Sequence, residues 1–142
     1  TERMTRREII MPMRNQKAEG VIRCLNILER KYGCLFKKIF KTITVDNGSE
    51  FSANDGMCKS IFGRGKSNRT TIYYCHPYCS SERGSNERMN REIRRRIPKG
   101  SNIAKYSNEE IRDIEHWLNH YPRRILGYAT AQELFDEQVA QL

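Results

Sequence analysis

Apolar residues recur at helical spacing near the beginning of the chain. Between residues 15 and 32 they share one face of a predicted helix, and polar residues occupy the other faces. The apolar face consists of Ala18, Val21, Ile22, Leu25, Leu28 and Tyr32. Asn15 is of a residue type that caps helix N-termini, and Gly33 is of the type that ends helices. We therefore predict an amphipathic helix over residues 15–32.

Three short segments are rich in the β-branched and aromatic residues typical of strands. They are REIIMP (7–12), FKTITV (40–45) and TTIYY (70–74). The segment NDGMCKSIF (54–62) lies between the last two and predicts a short helix. The predicted order in this half of the chain is therefore strand, helix, strand, short helix, strand.

The segment NERMNREIRRRIP (86–98) predicts a helix with two different faces. Met89, Ile93 and Ile97 are spaced by four residues, and Pro98 closes the segment. Another face carries Glu87, Asn90, Arg91 and Arg94. The helix is therefore expected to pack through its apolar stripe and to expose charged groups.

Two capping boxes predict where the last two helices begin. Ser107 with Glu110, and Thr130 with Glu133, have the spacing at which each side chain bonds the backbone of the other residue. Apolar residues follow each box, namely Ile111, Ile114, Trp117 and Leu118 after the first and Leu134 and Phe135 after the second. Because Trp117 shares this helical period, a core position is favoured over a base-stacking role.

Composition is compatible with one polar domain over residues 1–142. Hydrophobic residues make up 37% of the chain, and no apolar run approaches the roughly 20 residues that a membrane helix needs. The first residues, TERMTRREII, carry charges where a secretory signal is apolar. We expect a cytoplasmic protein without a membrane partner, associated with the nucleoid if the cell is prokaryotic.

The five cysteines indicate neither disulfide bonds nor zinc. Their number is odd and no two are spaced as CxxC, which is typical of reduced thiols. Cys75, His76 and Cys79 lie close together in CHPYC, but no second cluster supplies further ligands at zinc-finger spacing. We expect no zinc site.

Positive charge is concentrated in one segment. The net charge of +9 divides into +5 for residues 1–60, +7 for residues 61–100 and −3 for residues 101–142. Such clustering favours attraction to a polyanion, because each phosphate contact releases condensed counterions. A basic face that is only solvated is the alternative.

Asp46 lies where a predicted strand meets a turn, in TITVDNGSEF (42–51). β-Branched residues alternate along the strand, and Asn47-Gly48 is a strong turn signal. A carboxylate at a strand end suits a metal site, but an Asp before a turn is also ordinary turn chemistry. The residues alone leave both interpretations open.

Glu87 is the candidate for a second carboxylate. It is one of only three acidic residues between positions 61 and 100 and shares a helix face with arginines. Two hard divalent cations held by such carboxylates would activate an attacking oxygen and stabilise the leaving oxygen at one phosphorus. The alternative is an exposed pair between Glu87 and Arg91, worth roughly 0.2–0.5 kcal/mol.

Four longer motifs occur in order along the chain. They are TVDNGSEF (44–51), YYCHPY (73–78), ERGSNERMNREIRRRIPKG (82–100) and WLNHYPRRILGY (117–128). Together they closely resemble the catalytic core of DDE transposases and retroviral-type integrases, the nearest branch being the insertion-sequence-thirty transposases. The resemblance covers nearly the whole chain. It implies a ribonuclease-H-like α/β fold and cutting and joining of DNA that depend on Mg²⁺ or Mn²⁺.

The resemblance assigns roles to the two acids. Asp46 resembles the second acid of the DDE triad and Glu87 the third, and Glu50 belongs to the same motif as Asp46. Forty residues separate the two acids, which is more than is usual in the superfamily. The excess fits an insertion around GRGKSNR (63–69), which is either a DNA-contacting loop or an ordinary surface loop.

The resemblance also implies DNA contacts from the basic segment. The candidates are Arg83, Asn86, Arg88, Arg91, Arg94, Arg95 and Lys99. His76, Pro77 and Tyr78 resemble the loop before the catalytic helix, where His76 would shape the site and not act as a base. For Arg123 and Arg124 two interpretations remain open. They contact either DNA or an acidic surface of their own fold.

Only two of the three acids of the triad have counterparts here. The family's first acid lies on an earlier strand, and none of Glu2, Glu8, Glu19 and Glu29 lies on the matching one. We therefore expect a core truncated at its N-terminus, without the first strand, with an empty or weakly occupied metal site and no catalytic activity of its own. An unpaired sheet edge would favour self-association into a homo-oligomer.

Three functions remain as hypotheses. The first is a DDE transposase core that cleaves and transfers DNA strands, with transposon ends and target DNA as partners. The second is another ribonuclease-H-like nuclease, which would hydrolyse DNA without joining it. The third is a nonenzymatic nucleic-acid-binding module, whose DNA binding would need neither a divalent metal nor the carboxylates of Asp46 and Glu87.

Overall fold

The computed structural model describes residues 1–13, 15–63, 67–76 and 84–142. Contacts between the residues divide the chain into two compact units. The helical unit combines residues 1–12 with the described residues from 84 to 141, and the sheet unit contains the described residues from 13 to 76 with residue 142. That residues 1–142 form one domain stays a prediction.

The sheet unit contains two short strands and three helices. In chain order these are α1 (Ala18–Tyr32), a 3-10 helix (Gly33–Leu35), α2 (Phe36–Ile39), β1 (Thr42–Val45), a 3-10 helix (Ser49–Phe51), α3 (Asn54–Cys58) and β2 (Thr71–Tyr74). The two strands are parallel, with Thr42 opposite Thr71 and Val45 opposite Tyr74. This mixture of helices and parallel strands is consistent with the α/β class, whereas the ribonuclease-H-like topology stays a prediction.

An apolar core determines where β1 and β2 lie. Val45, Met57 and Ile72 are buried at its centre, one each from β1, α3 and β2. The apolar face predicted for α1 packs against them through Val21, Ile22 and Leu25. Because Val45 is anchored in this core, the residue that follows it is held at the edge of the sheet.

The boundaries of α1 differ in part from the prediction. The helix begins at Ala18, and Lys17 is the N-cap without a side-chain hydrogen bond, so the predicted cap at Asn15 is wrong. The predicted end is confirmed, since Gly33 has a φ of 57° and its N–H donates to the carbonyl of Glu29. Positive φ is the conformation that favours glycine at this position.

The second strand and the short helix are shorter than predicted. β1 begins at Thr42, because the N–H of Phe40 donates to the carbonyl of Phe36 at 2.8 Å and so continues the turn of α2. The helix predicted over residues 54–62 ends at Cys58, since Lys59 forms an antiparallel bridge with Asn68. Hydrogen bonds that the apolar pattern did not predict therefore shorten both elements.

The helical unit contains three longer helices. They are α4 (Gly84–Arg96), α5 (Asn108–His120) and α6 (Ala131–Ala140), with 3-10 helices at Ile103–Lys105 and Arg124–Leu126. Its buried apolar residues are Met89, Ile111, Ile114, Leu118, Ala131 and Phe135. No helix in the part of the chain that the structure describes is long and apolar enough to cross a membrane.

Both predicted capping boxes are confirmed. The hydroxyl of Ser107 accepts from the backbone of Glu110 at 3.1 Å, and the Glu110 carboxylate accepts from the backbone of Ser107 at 2.7 Å. Thr130 and Glu133 repeat this exchange at 3.2 and 2.9 Å. The backbone hydrogen bonds hold the pKa of both glutamates below the usual value.

The strand predicted over residues 7–12 is wrong. The structure assigns no strand to these residues, and side chains of α5 satisfy their backbone instead. The Asn119 side chain accepts from the N–H of Glu8 at 2.8 Å and donates to its carbonyl at 2.9 Å. Glu115 accepts from the N–H of Ile10 at 2.8 Å. The β-branched residues in this segment favour a strand, but the hydrogen-bond partners of its backbone are side chains and not a neighbouring strand.

Candidate functional site

Asp46 follows the last residue of β1, and the residues after β2 lie beside it. The Val45 carbonyl accepts from the N–H of Cys75 at 2.9 Å, and the Asn47 side chain donates to the Cys75 carbonyl at 3.2 Å. Because the strands are parallel, both carboxyl ends reach the same edge of the sheet. The predicted place of Asp46 at the end of a core strand is therefore confirmed.

The turn after β1 brings two carboxylates to the same place. The N–H of Gly48 donates to Oδ1 of Asp46 at 3.1 Å. A Cβ atom at Gly48 would lie 3.0 Å from that oxygen and 2.6 Å from Oε2 of Glu50. Space and not backbone conformation limits a side chain at this position, because the φ of −64° suits any residue. A side chain at this position would displace the Glu50 carboxylate.

The carboxylates of Asp46 and Glu50 suit a hard divalent cation, but they form only part of a metal site. Carboxylate oxygens are the ligands that Mg²⁺ and Mn²⁺ prefer, and both side chains are half-buried. In residues 1–13, 15–63, 67–76 and 84–142, no group of three or more His, Cys, Asp and Glu side chains is placed to hold a metal. Asp46 and Glu50 would therefore need a further ligand.

The segment after β2 is described only as far as His76. Cys75 is buried and His76 is exposed. Pro77 and Tyr78, which were predicted to shape the site with His76, lie outside the described residues, as does Cys79. The role predicted for His76 in shaping the site stays a prediction.

A buried ion pair in the sheet unit was not predicted. Arg69 and Glu29 are 2% and 3% exposed, and Nη1 of Arg69 lies 3.1 Å from Oε2 of Glu29. Arg69 also donates to the carbonyls of Met57 at 2.8 Å and Gly56 at 3.0 Å. Arg69 therefore supports the fold and is not a DNA contact within the GRGKSNR segment, whose residues 64–66 lie outside the described ones.

Glu29 has further partners that complete this network. Its carboxylate accepts from the Ser60 hydroxyl and from the N–H of Ile61, the latter at 3.1 Å. Asn26 accepts from Arg69 at 2.5 Å. One sequence signal was available, because Glu29 lies four residues after Leu25 and so falls on the apolar face of α1. A charged residue on such a face indicates a buried partner.

Glu87 lies in the helical unit, in the first turn of α4, and is exposed. Negative charge is favourable there because the helix N-terminus carries a partial positive charge. Within the described residues Glu87 forms no ion pair, and Arg91 one turn later does not bind it. The alternative in which Glu87 serves only as a helix pair with Arg91 is therefore not supported.

The arginines of α4 fall into two groups. Arg95 lies 2.8 Å from Glu92 in an exposed ion pair, and the guanidinium of Arg96 lies 4.7 Å from the centre of the Trp117 ring. Arg91 and Arg94 are exposed and have no ion pair with any described residue. Arg91 and Arg94 are therefore the more available cations on the face that carries Glu87.

The other predicted DNA contacts have different surroundings. Asn86 is half-buried and accepts from the Thr1 hydroxyl at 3.3 Å. Arg88 and Lys99 are exposed. Arg83 lies outside the described residues. Contact of any of these side chains with DNA stays a prediction.

The structure separates the roles of two neighbouring arginines. Arg123 is half-buried and donates to the carbonyls of Arg6 at 3.0 Å and Leu118 at 2.6 Å. It therefore binds the backbone of its own unit, which neither interpretation of the sequence had included. Arg124 is exposed. Trp117 is half-buried between α4 and Tyr121, less buried than a core residue.

Comparison with known proteins identifies relatives of one class. The chain is 39% identical over 105 residues to the transposase for insertion sequence element IS4351 of Bacteroides fragilis, covering 74% of the chain and 30% of that protein. It is 36% identical over 135 residues to the probable transposase for insertion-like sequence element IS1161 of Streptococcus salivarius, covering 95% of the chain and 35% of that protein. With the transposase InsI for insertion sequence element IS30C of Escherichia coli, it shares 28% identity over 139 residues, 98% of the chain and 34% of that protein.

These relatives are insertion-sequence transposases. Within that class they are of the insertion-sequence-thirty type, which confirms the resemblance inferred from the four motifs. The chain spans about a third of the length of the curated relatives it matches. No protein-family model matches the chain, and no solved structure matches it significantly.

Proposed function

We propose that the chain is part of the catalytic core of a DDE transposase that cuts DNA at transposon ends and joins it to target DNA. The observation that carries the proposal is the match to a transposase over 95% of the chain. The position of Asp46 at the carboxyl edge of a parallel sheet supports it, because loops at that edge commonly form active sites in α/β proteins. The expected fold is ribonuclease-H-like.

Asp46 and Glu87 are the proposed metal ligands. The Gly48 N–H fixes the orientation of the Asp46 carboxylate, and Glu50 adds a second carboxylate near the same point. Bound Mg²⁺ or Mn²⁺ would activate the attacking oxygen and stabilise the leaving oxygen at the phosphorus. Glu87 contributes from the first turn of α4, where no described side chain neutralises it.

The exposed arginines of α4 are proposed to hold the DNA backbone. Arg91 and Arg94 have no described carboxylate partner, whereas Arg95 is paired with Glu92. Guanidinium groups bind phosphate oxygens through two parallel hydrogen bonds. In the complete enzyme, two or more copies of the protein would hold the transposon ends together.

The first experiment tests the two acids. In a protein of the relatives' full length that carries this chain, Asp46→Asn and Glu87→Gln should abolish strand cleavage in Mg²⁺ or Mn²⁺ and leave DNA affinity nearly unchanged. Each substitution removes a charged metal ligand and keeps the side-chain shape. Glu92→Gln is the matched control on the same helix, because Glu92 is paired with Arg95. Full cleavage by Glu87→Gln would exclude Glu87 from catalysis.

The products of the same reaction distinguish the alternative functions. DNA strands joined to a target indicate a transposase, whereas nicks without joining indicate a nuclease. A protein that binds DNA equally well with and without divalent metal, and that never cuts it, would be a binding module. Joined products that persist in the Asp46→Asn variant would contradict the proposed site.

The second experiment tests the arginines. The double variant Arg91→Ala and Arg94→Ala is titrated with duplex DNA at several salt concentrations. The slope of log affinity against log salt should become shallower by about 2, because each lost phosphate contact reduces the magnitude of that slope by about 0.9. Arg112→Ala is the control, since Arg112 is exposed on α5. An unchanged slope in the double variant would remove both arginines from the interface.

A further inference from the structure

The loop between α5 and α6 exposes several large side chains. In this aromatic loop, residues 121–129, Tyr121 is 57% exposed, Ile125 65% and Tyr128 72%. Each of these groups would be stabilised by removal from water. A cluster of exposed apolar side chains on one short loop is typical of an interaction surface.

The aromatic loop is held in one conformation by its own backbone. The N–H groups of Leu126 and Tyr128 both donate to the Arg123 carbonyl, at 2.9 and 3.0 Å. The N–H of Arg123 donates to the Ala129 carbonyl at 3.2 Å, and the Arg123 side chain donates to the Leu118 carbonyl at 2.6 Å. A loop organised in this way loses little conformational freedom when it binds a ligand.

Tyr128 is both exposed and strained. Gly127 and Tyr128 have φ values of 62° and 68°, in the left-handed region. Glycine adopts this region freely, whereas a side chain such as tyrosine does so at a cost in free energy. Because the ring is exposed, packing in the described fold does not compensate that cost. Such strain at an exposed residue indicates a function for the side chain.

The exposed arginines at the aromatic loop favour an anionic ligand. Arg124 is exposed within it. The pKa of Arg123 at its base is lowered, mainly by burial and further by the positive charges of Arg88 and Arg6, whereas the carboxylates of Glu8 and Glu92 act in the opposite direction. Arg88 therefore lies near the loop, and it belongs to the helix proposed to bind the DNA backbone. The ligand should combine negative charge with flat apolar groups, which is the chemistry of a nucleic acid with unpaired bases.

We propose that the aromatic loop binds unpaired bases of single-stranded DNA, with Tyr121 and Tyr128 stacking on bases and Arg124 contacting a phosphate. The proposal rests on the proposed function in that DNA is the partner. Base faces are accessible only where the strands are separated, so the loop would act on DNA opened during cleavage or joining. Stacking of one base on an aromatic ring changes affinity by a factor of about 5 to 150.

The test compares two probes, fluorescent oligo(dT) and a duplex of the same length, with the 142-residue chain. Tyr121→Ala and Tyr128→Asn should each weaken binding of oligo(dT) at least about fivefold and leave duplex binding nearly unchanged. Asn tolerates positive φ, so Tyr128→Asn removes the ring without disturbing the turn. Tyr128→Phe should keep the affinity for oligo(dT), because the ring and not the hydroxyl is required.

A control variant on β2 shows whether the position of the tyrosine matters. Tyr73→Ala removes a similarly exposed tyrosine from that strand and should leave oligo(dT) binding unchanged. Normal oligo(dT) affinity in both loop variants would overturn the loop proposal. A shallower salt dependence of duplex binding in the α4 double variant would still support the proposed function.

Two further outcomes would also overturn the loop proposal. Dissociation of a dimer by Tyr128→Asn without a change in oligo(dT) affinity would identify a second copy of the chain as the partner of the loop. Failure of the unchanged chain to bind either probe would remove DNA as the ligand of the loop and would weaken the proposed function as well.

Discussion

Replacement of Arg69 by Met tests whether the buried ion pair stabilises the sheet unit. Arg69→Met keeps most of the side-chain volume and removes the guanidinium, which bonds the Glu29 carboxylate and the carbonyls of Met57 and Gly56. Glu29 then remains buried, with the Ser60 hydroxyl and the Ile61 N–H as its described partners. The variant therefore leaves a buried charge without a countercharge.

The expected effect is large for a chain of this size. Removing one partner of a buried ion pair costs about 3–5 kcal/mol, and typical domains have a free energy of unfolding of about 5–15 kcal/mol. We expect Arg69→Met to lose about 4 kcal/mol. The double variant Glu29→Met and Arg69→Met removes both charges, so it should be at least about 1 kcal/mol more stable than Arg69→Met alone.

The free energy of unfolding is measured by urea titration followed by circular dichroism. Hydrogen exchange of the amides in β1 and β2 then assigns the change to the sheet unit. Arg95→Met is the matched control, because Arg95 forms an exposed pair with Glu92, and it should change the free energy by less than about 0.5 kcal/mol.

Two outcomes would refute this reasoning. A loss below about 1 kcal/mol in Arg69→Met would show that the ion pair is not held in a buried environment. A double variant less stable than Arg69→Met would show that the hydrogen bonds of Glu29 stabilise the unit even without Arg69. In either case, interactions other than the ion pair between Glu29 and Arg69 would hold α1 against the segment that precedes β2.

Two further predictions concern Glu8 and Gly48. Burial raises the pKa of Glu8 above its ordinary value, so its contribution to stability is present below the unfolded-state pKa and is lost as pH rises through the folded-state pKa. The unfolding free energy of Glu8→Gln relative to the unchanged chain should therefore rise as pH increases from the ordinary glutamate pKa of about 4.3 through the raised folded-state pKa, and a constant difference would contradict this. Gly48→Ala places a methyl group against the Asp46 and Glu50 carboxylates and should lower cleavage by a full-length protein about 100-fold with a change in stability below about 1 kcal/mol. Unaltered cleavage in this variant would show that the carboxylate positions are not critical.

Elements specified by neighbouring residues were predictable. Ser107 and Glu110 lie three residues apart, and their capping box formed as predicted because both hydrogen bonds are local. The same holds for the end of α1 at Gly33 and for the two short strands, although the sequence did not specify their parallel pairing. For the candidate site, the turn signal after Val45 placed Asp46 at the end of β1 correctly.

The partners of polar groups distant in sequence were not predictable. Arg69 and Glu29 are 40 residues apart, and nothing in the sequence around Arg69 distinguishes it from the arginines that face solvent. Residues 7–12 have the composition of a strand, but Asn119 lies 111 residues from Glu8 and supplies the hydrogen bonds of its backbone. The resemblance to transposases indicated Asp46 and Glu87 as candidate acids, whereas the crowding of Asp46 and Glu50 at Gly48 became visible only in the tertiary structure.

The sequence by itself determined the class of protein, the helices and strands with local signals, and the two candidate acids, because residue order and short spacings encode all of these. The tertiary structure alone decided which charges are buried and which are exposed. Arg69, Arg123 and Arg124 look alike in the sequence, yet the first two bind groups of their own unit and the third is exposed. The physical reason is that burial and hydrogen-bond partners depend on which distant segments pack together, and a single sequence does not record that packing.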